Sequence, residues 1–154
     1  EKMMRKAERR GLSARVKFTG LLPHAEVEKA IKDAHVFVLP SKTSKSGDME
    51  GIPVALMEAM GTGMPVIATR HSGTPDLVEH EVSGLLCEEG DREALAANME
   101  RLARMPERWP AMGAAAAAKV RSDFDLTYWN DKLLERLTAL GASTTPPISA
   151  STTP

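Results

Sequence analysis

The chain has 154 residues, 42% apolar and 27% charged, enough for one globular domain and not comfortably two. A net charge of −1 and an aromatic content of 4% argue against general affinity for nucleic acid or anionic membranes, and against a base-stacking platform. The single cysteine, Cys87, excludes an internal disulfide and fits a reducing compartment. With no run of about 18 apolar residues and no signal-peptide pattern, a cytoplasmic protein is expected.

Glu1 to Arg10 places Met3, Met4 and Ala7 at helical spacing. It reads as the tail of a helix stopped by Gly11. Arg15-Val16-Lys17-Phe18-Thr19 alternates polar and apolar and predicts a strand, followed by a turn at Gly20–Pro23. His24 to Ala34 carries Val27, Ala30, Ile31 and Ala34 at the i, i+3, i+4, i+7 spacing of an amphipathic helix. His35 to Leu39 is a short apolar strand ending at Pro40, of the kind found in parallel sheets covered on both faces. After the polar loop Ser41–Asp48, a helix spans Ile52 to Met60 and ends near Gly61-Thr62-Gly63. Met64 to Thr69 predicts a second buried strand, with the Arg70–Gly73 loop behind it. Thr74, Pro75 and Asp76 then suit the cap and first turn of a short helix through Val78. Gly84 to Cys87 reads as a third strand. Asp91 is placed to cap a helix over Arg92–Arg104, and further helices are expected over Pro106 to about Asp123 and Leu126–Leu140. From Gly141 onward the chain is Ser, Thr, Pro, Ala and Ile, too poor in apolar surface to offset ordering entropy, so a disordered tail is expected at 141–154. The alternation of helices and strands predicts an α/β three-layer sandwich around a parallel sheet, with extra C-terminal helices, over residues 1–140.

The stretch Asp48 to Met60 organises the rest. Ile52 to Met60 is almost wholly apolar and reads as a buried helix, yet Glu58 sits inside the run and Glu50 just before it. Carboxylates are seldom buried without a specific partner. Pro53 suits the first helical position. The N–H groups of Val54 and Ala55 would then point out of a helix end that favours phosphate. Plain capping, with Glu58 paired to a distant Lys or Arg, is the structural alternative. Ligands of parallel sheets bind beyond the carboxyl ends of the strands. That rule puts the Pro40–Gly51 and Arg70–Thr74 loops on one rim.

The stretch Val36 to Gly90 resembles the nucleotide-binding half of retaining group 1 glycosyltransferases with the GT-B fold. The residues that carry this are Phe37-Val38-Leu39-Pro40-Ser41, Glu50 through Thr69, Ser72-Gly73-Thr74-Pro75-Asp76-Leu77-Val78 and Gly84-Leu85-Leu86. The pair Glu50 and Glu58, separated by seven residues, is the family's hallmark. The form Gly47 to Glu58 looks most like enzymes of bacterial exopolysaccharide and colanic-acid-type synthesis. The resemblance implies transfer of a sugar from a nucleoside-diphosphate sugar to a glycan or lipid-linked acceptor, with retention of configuration and without a metal or other cofactor. Carried over, Glu50 contacts the transferred sugar as the catalytic-site carboxylate, and Glu58 accepts hydrogen bonds from the ribose. Val54 and Ala55 hold the diphosphate through their N–H groups. Ser41, Gly51, Ile52, Pro53, His71, Ser72 and Gly73 complete the expected donor-binding set. Family enzymes have a second, N-terminal acceptor domain with no counterpart here. The early strand, helix and basic clamp of the nucleotide half also have no counterpart. The chain is therefore expected to supply the donor-binding part and not to turn over in isolation.

Other features carry blander readings. Gly61-Thr62-Gly63 follows a helix and leads into a strand, so it terminates the helix and is no dinucleotide fingerprint. His71 on the rim could touch a phosphate or sugar hydroxyl, or be a solvated loop histidine. His24, His35 and His80 show no partner pattern. Lys42 and Lys45 read as solvated, and the nine methionines as core filling. Arg5, Lys6, Arg9 and Arg10 could meet headgroups at the inner face of a membrane, or form a solvated helix face. Two further readings stand beside glycosyl transfer: a non-catalytic nucleotide-sugar-binding module or truncated product, and a nucleotide-sugar 2-epimerase.

Overall fold

A computed structural model of the chain describes residues 1–44, 46–47 and 51–141. Glu50 and the tail 142–154, two of the sequence expectations, lie outside these residues. The chain divides into two compact units, Glu1–His35 and Val36–Pro154.

In the first unit, α1 (Lys2–Arg9) stops where expected. Gly11 adopts a φ of +65°, its N–H donates to Glu8 O, and the Leu12 N–H donates to Ala7 O at 2.9 Å. These are the two bonds of a Schellman stop, which needs a residue free of the Cβ penalty at that φ. α2 (His24–Asp33) forms over the amphipathic stretch, with Ile31 buried. The strand expected at Arg15–Thr19 is not one. Arg15 and Val16 N–H groups both turn back to Leu12 O, at 2.9 and 3.0 Å, and the stretch pairs with no described strand. Alternation suits any half-exposed segment, but a strand exists only through its ladder partner.

The second unit is built on a parallel sheet of β1 (Phe37–Leu39), β2 (Val66–Thr69) and β3 (Gly84–Cys87), in the order β1-β2-β3. The register places Val38 beside Ile67, and Ile67 beside Leu85. The crossovers are α3 (Val54–Gly61) and α4 (Thr74–Leu77). After β3 come α5 (Arg92–Arg104), a single 3-10 turn at Pro106–Arg108, α6 (Trp109–Asp123) and α7 (Leu126–Ala139).

Side chains alternate across the sheet, and each face has its own apolar layer. Val66, Ala68 and Leu86, with Phe37 and Leu39, meet Leu56, Ala59 and Met60 of α3, Leu77 of α4 and Ala116 of α6. On the other face, Ile67 and Leu85, with Val36 and Val38, meet Leu102 and Leu95 of α5 and Met112 and Trp109 of α6. This is the expected three-layer α/β sandwich, with α6 reaching both layers. Leu56 and Met60 are fully buried, each contributing about 1.5–3 kcal/mol through removal from water.

One close approach locks α3 into place. Gly113 of α6 lies so near the turn after α3 that a Cβ there would stand 1.9 Å from Gly63 O. Gly63 itself takes a φ of +82°. The α5 boundaries match the sequence expectation, and Asp91 caps it by accepting from the Ala94 N–H at 2.8 Å. Two caps differ by one position: Pro53 precedes the first turn of α3, and Gly73, not Thr74, precedes α4. Both prolines still meet no backbone demand for the N–H they lack. No described helix is long and apolar enough to cross a membrane.

Candidate functional site

The carboxyl ends of all three strands open on one rim, because parallel strands with crossover helices must all point the same way. Loop 40–53 leaves β1, loop 70–73 leaves β2, and residues 88–91 leave β3.

The start of α3 forms one flank. No side-chain hydrogen bond from a described residue caps this helix. The Leu56 and Met57 N–H groups donate back to Pro53 O, at 3.1 and 3.2 Å. Val54 and Ala55 occupy the two preceding helical positions, whose N–H groups have no intrahelical acceptor. Both residues are exposed, so this end has N–H groups and partial positive charge directed outward. Glu58 corrects the sequence reading in one respect: it is exposed, not buried. It lies four residues beyond Val54, on the outer face of α3, while Leu56, Ala59 and Met60 take the inner one. The apolar run concealed a two-sided helix, and Glu58 needs no buried partner.

The two loops of the rim touch. A Cβ added to Gly73 would stand 2.6 Å from Ile52 Cγ1, so glycine permits the 70–73 loop to lie against the entrance of α3. Ser72 precedes it at a φ of +47°, an uncommon conformation for a residue with a side chain. Ser41, Gly51, Ile52, Pro53, Val54, Ala55, Ser72 and Gly73 thus share the rim. Ser41 contributes its carbonyl to the scaffold, accepting from the buried Thr69 hydroxyl at 2.6 Å.

The opposite flank is fully wired. His71 is 2% exposed, which removes the solvated-loop reading. Its Nδ1 lies 2.6 Å from Glu89 Oε1. Glu89 also accepts from the Thr43 N–H at 2.8 Å and from the Thr43 hydroxyl at 3.1 Å. The Thr43 N–H and then His71 hold the Glu89 carboxyl below the usual carboxylate value. One residue from each strand end meets here: Thr43 beyond β1, His71 beyond β2, Glu89 beyond β3. Sequence reading passed over Glu89 and Thr43. The signal for Glu89 was its place directly beyond the third strand, where the same rim rule applies. Arg70 pairs with Glu88 at 3.4 Å on the exposed side, a contact of little energetic weight. Among the described residues, no three His, Cys, Asp or Glu side chains are placed to hold a metal ion.

Comparison with known proteins identifies this architecture. The family model described as "Glycosyl transferases group 1" matches residues 1–119. The chain belongs to the group 1 glycosyltransferase family. It is 49% identical over 110 residues to the amylovoran biosynthesis glycosyltransferase AmsK of Erwinia amylovora, covering 71% of this chain and 27% of AmsK. It is 44% identical over 126 residues to the putative colanic acid biosynthesis glycosyltransferase WcaL of Escherichia coli, covering 81% of this chain and 31% of WcaL. The chain thus spans about a third or less of the curated relatives it matches. Among solved structures, Anabaena Alr3699/HepE in complex with UDP superposes with a TM-score of 0.77 at 27% identity, over 90% of this chain and 36% of HepE. This group 1 chain has the Rossmann-like half expected of a GT-B fold.

Proposed function

We propose that the chain forms the donor-binding part of a glycosyltransferase that takes a nucleoside-diphosphate sugar and transfers the sugar with retention of configuration. The carrying observation is the start of α3 on the strand-end rim, which no described side chain caps, with Glu58 exposed one turn further along the same face. In this reading the Val54 and Ala55 N–H groups hold the diphosphate, where the helix end favours anionic oxygens and stabilises charge developing on the departing nucleotide. Glu58 accepts from the ribose hydroxyls, since a carboxylate is acceptor-only and has room for two donors. Ile52 and Gly73 form the wall between the two loops. Ser41, Gly51, Pro53, His71 and Ser72 complete the pocket, and Glu50 contacts the transferred sugar.

HepE is known in complex with UDP and with UDP-glucose, which supports a nucleoside-diphosphate sugar here. The names of AmsK and WcaL support an exopolysaccharide-type glycan or lipid-linked acceptor. They also favour transfer over epimerisation. The acceptor is held by a further domain, and the chemistry calls on no metal. Calorimetry of this chain with uridine, guanosine and adenosine diphosphate sugars tests the reading, with Glu58→Ala as control. Saturable binding that weakens in the variant supports it. Binding indifferent to Glu58 removes the ribose assignment.

A further inference from the structure

The network beyond the strand ends does more than tie three loops together. Glu89 accepts from the Thr43 N–H at 2.8 Å and from the Thr43 hydroxyl at 3.1 Å, and a carboxylate engaged by donors in this way only accepts. The atom facing it, His71 Nδ1 at 2.6 Å, therefore carries the proton. In the neutral ring the second nitrogen, Nε2, is then a bare acceptor. Nε2 makes no hydrogen bond to a described residue. No fully buried side-chain polar atom among the described residues lacks a partner, so Nε2 keeps a small accessible area although the ring around it is buried.

We infer that Glu89 is a positioning residue: it fixes the Nδ1–H tautomer of His71, so that Nε2 accepts a hydrogen bond from a hydroxyl of the donor sugar. The inference rests on the donor-site reading for the identity of the ligand. The tautomer itself rests only on the Thr43–Glu89–His71 geometry. A bare imidazole nitrogen repels phosphate oxygens and matches a hydroxyl donor. The diphosphate already has the N–H groups of α3, and the ribose has Glu58. Glu50 is the one acceptor assigned to the sugar so far, and the sugar carries further hydroxyls that His71 Nε2 suits.

Thr43 makes the claim testable with one atom changed. In Glu89→Gln, the Thr43 N–H still requires an acceptor at 2.8 Å, and only the amide oxygen supplies one. The amide NH2 is then turned toward His71 Nδ1 and donates to it. The proton moves to Nε2, and the acceptor facing the ligand becomes a donor. Nitrogen-15 NMR of the imidazole in the full chain, at a pH where the ring is neutral, reads the tautomer directly. The wild type is expected to be Nδ1–H and Glu89→Gln to be Nε2–H, a change that a merely structural role for Glu89 does not produce. Calorimetry with UDP and with UDP-glucose reads the consequence. Glu89→Gln is expected to lose affinity for UDP-glucose about 3- to 10-fold more than for UDP, the range of one hydrogen bond.

An Nε2–H ring in the wild type overturns the inference without any variant, so misfolding of Glu89→Gln leaves it decidable. An unchanged tautomer in a folded variant overturns it as well. Equal loss for both ligands, or no loss, overturns the hydroxyl contact. Failure of the wild type to bind either ligand sinks the donor-site reading and the hydroxyl contact with it, while the tautomer is still read on its own.

Discussion

On one flank of the rim, the start of α3 offers Val54 and Ala55 N–H groups that no described side chain caps. On the other, Thr43, Glu89 and His71 have already met one another across three loops. The first flank leaves hydrogen-bonding capacity for a ligand to use. The second has satisfied its internal demands in advance and leaves one ring nitrogen open. An anion can be held by a helix end with little further organisation, because backbone N–H groups point there by construction. A hydroxyl needs an acceptor of defined protonation, and that requires a neighbour to fix it. In the proposed reading, the two flanks differ because the chemistry of the two halves of a nucleotide sugar differs.

The largest expected effect comes from the support shared by both flanks. Gly113→Ala forces a Cβ against Gly63 O, and no rotamer change relieves a clash with backbone. Urea denaturation should show a loss of about 3 kcal/mol, at the upper part of the overpacking range. Next comes the α3 flank alone. Glu58→Ala should weaken nucleotide-sugar binding about 10- to 100-fold, the worth of hydrogen bonds to a charged acceptor. The urea midpoint should hold, since Glu58 is exposed. A midpoint that falls together with the affinity would make Glu58 structural and erase the contrast between the flanks.

A smaller effect belongs to the wired flank. Thr69→Val removes the buried hydroxyl that donates to Ser41 O at 2.6 Å and should cost about 1 kcal/mol in the same assay. The smallest is a pH effect. The folded state depresses Glu89 below its ordinary value of about 4.5, so its stabilisation is fully present above that value. It is lost as pH falls through the lower folded value. Denaturation midpoints followed downward through the carboxylate range should therefore fall less in Glu89→Gln than in the wild type. Identical profiles would show that Thr43 and His71 do not hold the carboxylate in solution.

Sequence patterns exposed what is local. The bounds of α5 were legible because Asp91 and the apolar positions Leu95, Met99 and Leu102 lie within one segment, although Met99 proves exposed. β2 and β3 were legible as short apolar runs, since a strand covered on both faces has no polar side to show. Arg15–Thr19 misled because alternation records exposure, not pairing. Glu58 misled in another way: its apolar neighbours suggested burial, but the helix put it on the outer face. The rim loops and the entrance of α3 followed from the strand-end rule. The rule also puts Glu89 on the rim, but not its role, which is created by Thr43, 46 residues away, and by His71, 18 residues away. No spacing in the chain records either contact.

In the proposed reading, the start of α3 and the 70–73 loop form one site for a nucleoside-diphosphate sugar. Amide chemical-shift mapping of the full chain during titration with UDP-glucose tests it most directly. The account predicts saturable shifts centred on Val54, Ala55 and Gly73, with His71 responding to UDP-glucose but not to UDP. Saturable binding that leaves Val54 and Ala55 unmoved, or no binding by the folded chain, would contradict it.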